Sequence, residues 1–290
     1  MDAKTRFEKE QFYAEYDGED RVVSSKEFVE EQERMGSMNV PTISSGLPKF
    51  DALIGGFQGG ELITVTGPTG NGKTSFCHTL TKNFAKAGVL SLWLSFEVGN
   101  MQLIQQFSTT DLFYLPRRIE KRNIQWVVDK AIEAKTRFNI GAMFVDTLDE
   151  VVSMEKARGN LSVETGVVVS ELKSLAIDLN IPVFQLTHLT KTRYDTMPTE
   201  ADIRDSSFVS QKSDKVIMVW RERSKSKLSS GEMDYKFSGN TLVSVDKDRR
   251  TGVSRQRVRL SFENKEFKET DSDYDVAMKK ATGDDRMPEF

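Results

Sequence analysis

Eight residues carry the clearest chemistry in this 290-residue sequence: Gly67-Pro68-Thr69-Gly70-Asn71-Gly72-Lys73-Thr74. They satisfy the pattern GxxxxGK[ST] in full. Its glycines let the backbone curl until successive N–H groups point inward and cradle phosphate oxygens. A helix that opens there turns its positive end toward the same anion. Lys73 adds a mobile point charge for the β- and γ-phosphates, and the Thr74 hydroxyl is a hard ligand for Mg²⁺. With Ser75 behind them, these residues form the expected binding segment for ATP or another nucleoside triphosphate with Mg²⁺.

Hydrolysis needs acids placed around that loop. The apolar run Ala142–Val145 ends in Asp146, the Walker B pattern, in which the acid holds Mg²⁺ through its water shell. Asp149 and Glu150 compete for the role but lie beyond the strand end. Leu92–Ser95 leads through Phe96 to Glu97, a carboxylate placed to orient and deprotonate an attacking water. Phe184–Leu189 ends a further strand with polar residues, and Gln185 and His188 are the candidates there to sense the γ-phosphate. His78, inside the helix after the loop, reads as a packing residue. Two histidines and one cysteine make no metal cluster beyond the nucleotide's own Mg²⁺. Arg249 sits at a hairpin tip, within Lys247-Asp248-Arg249-Arg250. It cannot easily curl back to its own nucleotide but can reach a neighbour's, as an arginine finger. The competing reading is an exposed basic turn. Arg255, Arg257 and Arg259 alternate on the next strand and read as a solvated face.

The elements that must position these residues follow from periodicity. Leu62–Thr66, Val89–Ser95, Ala142–Val145, Pro182–Thr187 and Lys215–Trp220 are short apolar runs of strand type. Thr74–Ala87 spaces Phe76, Leu80 and Phe84 as one helical face, ended by Gly88. Ile119–Phe138 and Val163–Leu179 are also helical. Thr241–Asp246 and Gln256–Phe262 form a hairpin. Strands alternating with helices predict an α/β fold: a mostly parallel twisted sheet flanked by helices, with an antiparallel hairpin at its edge.

Residues 1–40 carry 6 basic and 11 acidic side chains, and 264–290 carry 5 and 8, leaving 30 basic and 25 acidic in 41–263. An acidic arm and an acidic, flexible tail thus flank a mildly basic body, which admits a local phosphate-binding channel despite the overall charge of −3. Within the arm, Ser24 or Ser25 caps a short polar helix, Lys26–Met35, that needs a surface to dock on. No apolar run approaches a membrane span, and the charged N-terminus has neither signal nor transit character. A lone cysteine fits a reducing compartment. The expectation is a cytoplasmic protein, of a bacterial cell or a virus-infected host, with no membrane partner.

The order of these motifs resembles the C-terminal ATPase domain of DnaB-type replicative helicases and of related ring helicases in phage replisomes, over about 22–263. The resemblance rests on Val22-Val23-Ser24-Ser25-Lys26, Ser45–Asp51, Gly55–Leu62, the phosphate loop, Ser95-Phe96-Glu97, Asp146, Leu179–Val183 running into His188, Asp202–Ser207, Gln211–Asp214, and Lys247-Asp248-Arg249. It implies a RecA-like P-loop ATPase in which Glu97 is the catalytic base, Asp146 the Mg²⁺ acid and His188 the γ-phosphate sensor. It implies that Lys247 and Arg249 act on the neighbouring subunit's nucleotide and that Arg221 contacts the base. Arg204, Asp205, Ser206 and Ser207 would lie on a channel loop tracking single-stranded DNA, and the arm's helix would dock on the adjacent subunit. Lys156 and Arg158, after the Walker B strand, are further channel candidates or simply an exposed loop. Many bacterial members carry Glu-Ser-Gly where this chain has Asp205-Ser206-Ser207, and losing that glycine restricts the backbone. The first 21 residues are too few for the collar or primase domain of larger members, so priming is not expected.

The sequence therefore predicts an ATP-dependent, ring-forming, hexameric DNA helicase. Two other readings remain open: a recombinase-like or KaiC-like ATPase that does not unwind duplex, and an accessory ATPase acting through protein partners. The acidic tail ends in Pro288-Glu289-Phe290 and is either a solubilising segment or a docking peptide for a replisome protein such as polymerase or primase.

Overall fold

The short apolar runs become the centre of a sheet because they are buried on both faces, as parallel strands must be. The computed structural model describes residues 3–18, 21–34, 41–107, 113–155, 161–189, 197–203, 206–227 and 233–270. Two compact units divide at Pro41/Thr42. The first holds α1 (Ala3–Ala14) and α2 (Ser25–Arg34). Ser24 Oγ accepts from the Glu27 N–H at 3.1 Å, so Ser24 is the cap, and no side chain of α2 is buried. Arg21 joins Glu31 at 2.9 Å and Glu27 at 3.6 Å. Helix α1 was not expected from sequence; its hydrophobic residues do not line one face.

The second unit runs β1 (Thr42–Ile43), α3 (Pro48–Ile54), β2 (Phe57–Gln58), β3 (Leu62–Thr66), α4 (Lys73–Lys86), β4 (Ser91–Ser95), α5 (Asn100–Gln106), α6 (Ile124–Phe138), β5 (Ala142–Asp146), α7 (Leu148–Glu155), α8 (Leu161–Leu179), β6 (Val183–Thr187), α9 (Ser206–Lys212), β7 (Lys215–Lys227), β8 (Met233–Asp248), β9 (Gln256–Glu263) and β10 (Glu266–Glu269). Eight strands form one sheet in the order β10-β9-β8-β7-β3-β6-β5-β4. The five from β7 to β4 are parallel and the outer three antiparallel. Alternate strand residues feed two cores. Ile63, Val65, Trp93, Phe144 and Phe184 pack with Phe76, Leu80 and Phe84 of α4. Leu62, Leu94, Met143 and Val145 pack with Val127 and Ala131 of α6 and with Val168 and Leu172 of α8. Trp93, Phe144 and Phe184 are register neighbours on β4, β5 and β6, and their rings stack at 4.8 and 4.5 Å.

Several boundaries differ from expectation for local reasons. Helix α6 opens at Ile124 rather than Ile119, because the Asn123 side chain caps the Trp126 N–H at 3.1 Å. Strand β7 does not stop at Trp220; it runs to Lys227, paired along its length with β8. The tail does not begin at 264. Asn264 and Lys265 adopt left-handed φ values of 51° and 64° and turn the chain back as β10 along β9. Phe267 then enters the core beside Phe76 and Phe262, and Glu266 pairs with the buried Lys82 at 3.1 Å. The charge count of this segment masked one inward-facing aromatic. Residues 271–290 lie outside the described residues. Among the described residues no helix is long and apolar enough to cross a membrane.

His78 is the packing residue it was read as, wedged against Phe107 at 4.1 Å and Trp93 at 4.9 Å, with Nε2 lacking a hydrogen-bond partner among the described residues. Burial, with help from Lys82, lowers its pKa to about 3. The unfolded chain thus takes up a proton near pH 6.5 that the folded chain refuses, so stability falls below pH 6.5 by up to ~1.4 kcal/mol per pH unit. His78→Leu is expected to flatten that slope between pH 6.5 and 4 in urea denaturation; an unchanged slope would show that the ring is not held neutral.

Candidate nucleotide site

The loop between β3 and α4 has the geometry its glycines require. Gly67 has φ of +149°, and a Cβ there would lie 2.1 Å from the Val219 carbonyl oxygen, so β7 packs directly on its backbone. Gly72, with φ of +96°, immediately precedes α4. Asn71 fixes the crest: its side-chain Nδ2 donates to Thr69 O at 3.2 Å, and its Oδ1 accepts from the Arg221 N–H at 2.8 Å. Lys73 is buried and donates to Gly67 O at 3.0 Å and Pro68 O at 3.5 Å. Desolvation lowers its pKa, while Asp146, Glu97 and Asp149 pull it back up.

The acids converge on the same place. Asp146 closes β5, and its Oδ2 accepts from Thr74 Oγ1 at 3.0 Å. Its Oδ1 is buried and has no partner among the described residues. Desolvation raises its pKa to about 6, the Thr74 hydrogen bond works against that, and the charge of Glu97 adds to it. Ser95 pairs in register with Asp146, and the N–H groups of Phe96 and Glu97 both donate to Asp146 O, so the end of β4 is pinned beside the Walker B strand. Glu97 is exposed there, open to water. A hydroxyl, a carboxylate with a bare oxygen and a buried ammonium fit a triphosphate and a hard cation such as Mg²⁺.

The remaining expected residues separate into three groups. Thr187 and His188 meet the start of α7, where Asp149 Oδ2 accepts from Thr187 Oγ1 at 3.4 Å and from the His188 N–H at 3.1 Å. His188 is half-buried with Nδ1 lacking a partner among the described residues. Asp149 is thereby a lock on the turn, and Glu150 pairs with Arg122 at 2.8 Å. Gln185 is not at the strand tip. It is fully buried, with Nε2 donating to Thr64 Oγ1 at 2.8 Å, because it faces the middle of β3. Lys247 and Arg249 lie against α9: Lys247 Nζ donates to Ser210 O, and Arg249 donates to Gln211 O. The Arg249 N–H donates to Asp214 O at 2.9 Å, and the Asp214 side chain holds the first residue of β3. Arg249 therefore sits at the end of β3 opposite its own phosphate loop. Ser206 and Ser207 open α9. Lys156, Arg158, Arg204 and Asp205 lie outside the described residues.

The family model for the DnaB-like helicase C terminal domain matches residues 42–125 and 117–269. The chain belongs to that family. A probable replicative DNA helicase of Trieres chinensis is 26% identical over 216 residues, covering 62% of this chain and 48% of that protein. The replicative DNA helicase DnaB of Rickettsia conorii is 27% identical over 224 residues, covering 62% and 45%. The chain thus spans about half the length of the curated relatives it matches. Among solved structures, an ATPase domain superposes with TM-score 0.68 at 18% identity (87% of this chain, all of that one). A DnaB-like replicative helicase, described with its interactions with primase, gives 0.65 at 19% (92% and 72%). A KaiC-like protein of Pyrococcus horikoshii gives 0.58 at 16% (80% and 100%). These likenesses show the RecA-like fold.

Sequence reading named neither Phe237 nor Arg223. Phe237 on β8 is the register partner of Arg223 on β7, and the guanidinium carbons of Arg221 and Arg223 each lie 4.5 Å from its ring centroid. Phe237 is 44% exposed, so an aromatic and two guanidiniums present flat surface beside the loop that Asn71 ties to β7. The unexpectedly long β7–β8 pairing brings them together, and the expected end at Trp220 hid it.

A carboxyl with pKa about 6 that ionises at 3.8 when unfolded is a burden on the folded state. The sign is that stability is fully present below pH 3.8 and lost as pH rises through 6, to the extent of about 3 kcal/mol. Asp146→Asn, which can still accept from Thr74, should raise the stability of the nucleotide-free protein at pH 8 and leave it near wild type at pH 4. Denaturation at the two pH values checks this, and equal effects at both would refute the burial argument.

Proposed function

We propose that this chain is the motor of an ATP-dependent, ring-forming DNA helicase that translocates on single-stranded DNA. The observation that carries the reading is a divided active site. Lys73, Thr74, Asp146 and Glu97 gather at the carboxyl end of β3, while Arg249 is held at its amino end, where only another subunit's nucleotide can meet it. Head-to-tail packing of identical subunits fits such a site and closes into a ring; the family membership favours six.

In this reading the inward N–H groups of the loop and Lys73 hold the triphosphate, and Phe237, Arg221 and Arg223 flank its base. Thr74 and Asp146 hold Mg²⁺, which would neutralise charge on the β- and γ-phosphate oxygens. Glu97, exposed beside the Asp146 carboxylate, orients and deprotonates water. His188 senses the γ-phosphate from the tip of β6. Lys247 and Arg249 stabilise charge on the neighbour's nucleotide. Arg204, Asp205, Ser206 and Ser207, with Lys156 and Arg158, contact DNA phosphates, a salt-dependent and sequence-tolerant grip. The N-terminal arm, 1–40, docks on the adjacent subunit, and the acidic segment after 270 recruits a replisome protein such as polymerase or primase.

Strand displacement on forks with single-stranded tails of each polarity tests the reading. Wild type should displace one strand with ATP, and Lys73→Ala should not. Glu97→Gln should bind nucleotide with normal affinity and lose roughly 10²–10⁴-fold in kcat. Steady ATP hydrolysis with no displacement on any fork, at concentrations that give rings, would favour a RecA-like or KaiC-like ATPase that does not unwind.

A further inference from the structure

Asp214 has no role in the reading above, yet it is the point where the trans-acting hairpin meets the strand that carries the cis phosphate loop. It lies between α9 and β7, with its side chain 16% exposed. Its two carboxylate oxygens receive three donors. Oδ2 accepts from the Leu62 N–H at 2.8 Å and from Lys173 Nζ at 2.6 Å. Oδ1 faces Arg249 Nη1 at 3.4 Å, and the backbone oxygen of Asp214 accepts from the Arg249 N–H at 2.9 Å. Leu62 opens β3, and Lys173 lies on α8 and also donates to Gly60 O at 2.7 Å. The flanking residues of the hairpin are tied down independently. Asp248 pairs with the fully buried Lys215 at 2.9 Å, and Arg250 pairs with Glu61 at 3.1 Å while capping Ile54 O at 2.8 Å. Arg249 is the residue of that tip whose side chain stays 48% exposed.

We infer that Asp214 is a positioning residue for the ATPase reaction: it aims the Arg249 guanidinium outward at the neighbouring subunit's nucleotide while anchoring the start of β3. The inference rests on the reading that Arg249 acts in trans. A guanidinium with a long stem has many rotamers; the Asp214 carboxylate at Nη1 and the Gln211 carbonyl at Nη2 fix this one, and its remaining N–H groups are left for an outside acceptor. Asparagine cannot replace that carboxylate. With its single oxygen turned to Leu62 N–H and Lys173, its amide N–H₂ faces the guanidinium and pushes it away. Turned the other way, it confronts two donors with a third.

The test uses full-length chains mixed before ring assembly, with ATP hydrolysis as the readout. Asp214→Asn alone should keep nucleotide affinity and KM near wild type and lose about 100-fold in kcat, the scale of a misplaced catalytic group. Lys73→Ala alone should be inactive. Mixed in equal amounts, they should regain activity, because an intact phosphate loop from one meets an intact Arg249 from the other at roughly a quarter of interfaces. Arg249→Ala mixed with Lys73→Ala should behave the same way. Asp214→Asn mixed with Arg249→Ala should not recover, since both lack the same function. If the Arg249→Ala pair recovers and the Asp214→Asn pair does not, Asp214 does not act through Arg249 and the inference fails while the trans reading stands. If neither pair with Lys73→Ala recovers, the trans reading fails and takes the inference with it. Should Asp214→Asn lose nucleotide binding, Asp214→Glu, which keeps the charge and shifts it by one methylene, replaces it in the same mixtures with the same expected pattern.

Discussion

Two opposite charges buried side by side at the phosphate loop set the constraint that the described structure answers to. Lys73 is buried with only carbonyls to receive its protons, and Asp146 is buried with one oxygen bare. Each is shifted toward its neutral form by desolvation, and each partly offsets the other. A triphosphate and a hard cation would supply the missing counter-charges. That mismatch is functional electrostatics held at a cost in stability, and it requires a rigid frame. The frame is the set of β3–β6 strands, buried on both faces, with Trp93, Phe144 and Phe184 stacked across three of them.

Much of this frame was legible in the sequence, because it is built from strong local signals. Leu62–Thr66 is an apolar run too short for a helix, and Phe76, Leu80 and Phe84 repeat at helical spacing. The glycine pattern fixes the loop between them, and Asp146 and Glu97 stand where two further strands must end. The losses have one physical cause: their signal is non-local. Phe267 is an isolated aromatic in a charged segment, and its place in the core shows only when β10 pairs with β9 and the ring meets Phe76 and Phe262. Gln185 looks like a strand-tip residue until the register with Thr64 shows it in the middle. Phe237 lies among polar residues and acquires meaning only when β8 pairs it with Arg223. Helices α5, α7 and α9, of 7, 8 and 7 residues, are too short for periodicity to distinguish them from loops.

Arg250, to which the sequence assigned no role, has one that only the fold shows. In Lys247-Asp248-Arg249-Arg250 the adjacent arginines look equivalent, and an exposed basic turn was a fair description of both. The structure separates them. Arg250 turns inward to Glu61 and donates to the carbonyls of Ile54, Gly55 and Gly56, closing the end of α3. Arg249 lies against the end of α9, held by Asp214 and the Gln211 carbonyl, with about half of its side chain exposed. Two identical side chains on neighbouring residues thus do opposite work, and the difference lies in which acid each meets.

This division gives β3 a mechanical meaning. Five residues long and buried throughout, it carries the phosphate loop at one end. At the other end lie Asp214, bonded to Leu62, and Glu61, bonded to Lys215 and Arg250. A close-packed strand of that length transmits displacement instead of absorbing it. The hairpin that the proposed trans role assigns to the next subunit is thus joined to the phosphate loop by one five-residue strand, roughly 15 Å long at ~3.3 Å per residue. The C-terminal carbonyls of α9 hold Lys247 and Arg249, so the hairpin is tied to that helix as well as to β3. A single buried strand therefore has the phosphate loop at its carboxyl end and, at its amino end, two acids that each hold one arginine of the hairpin.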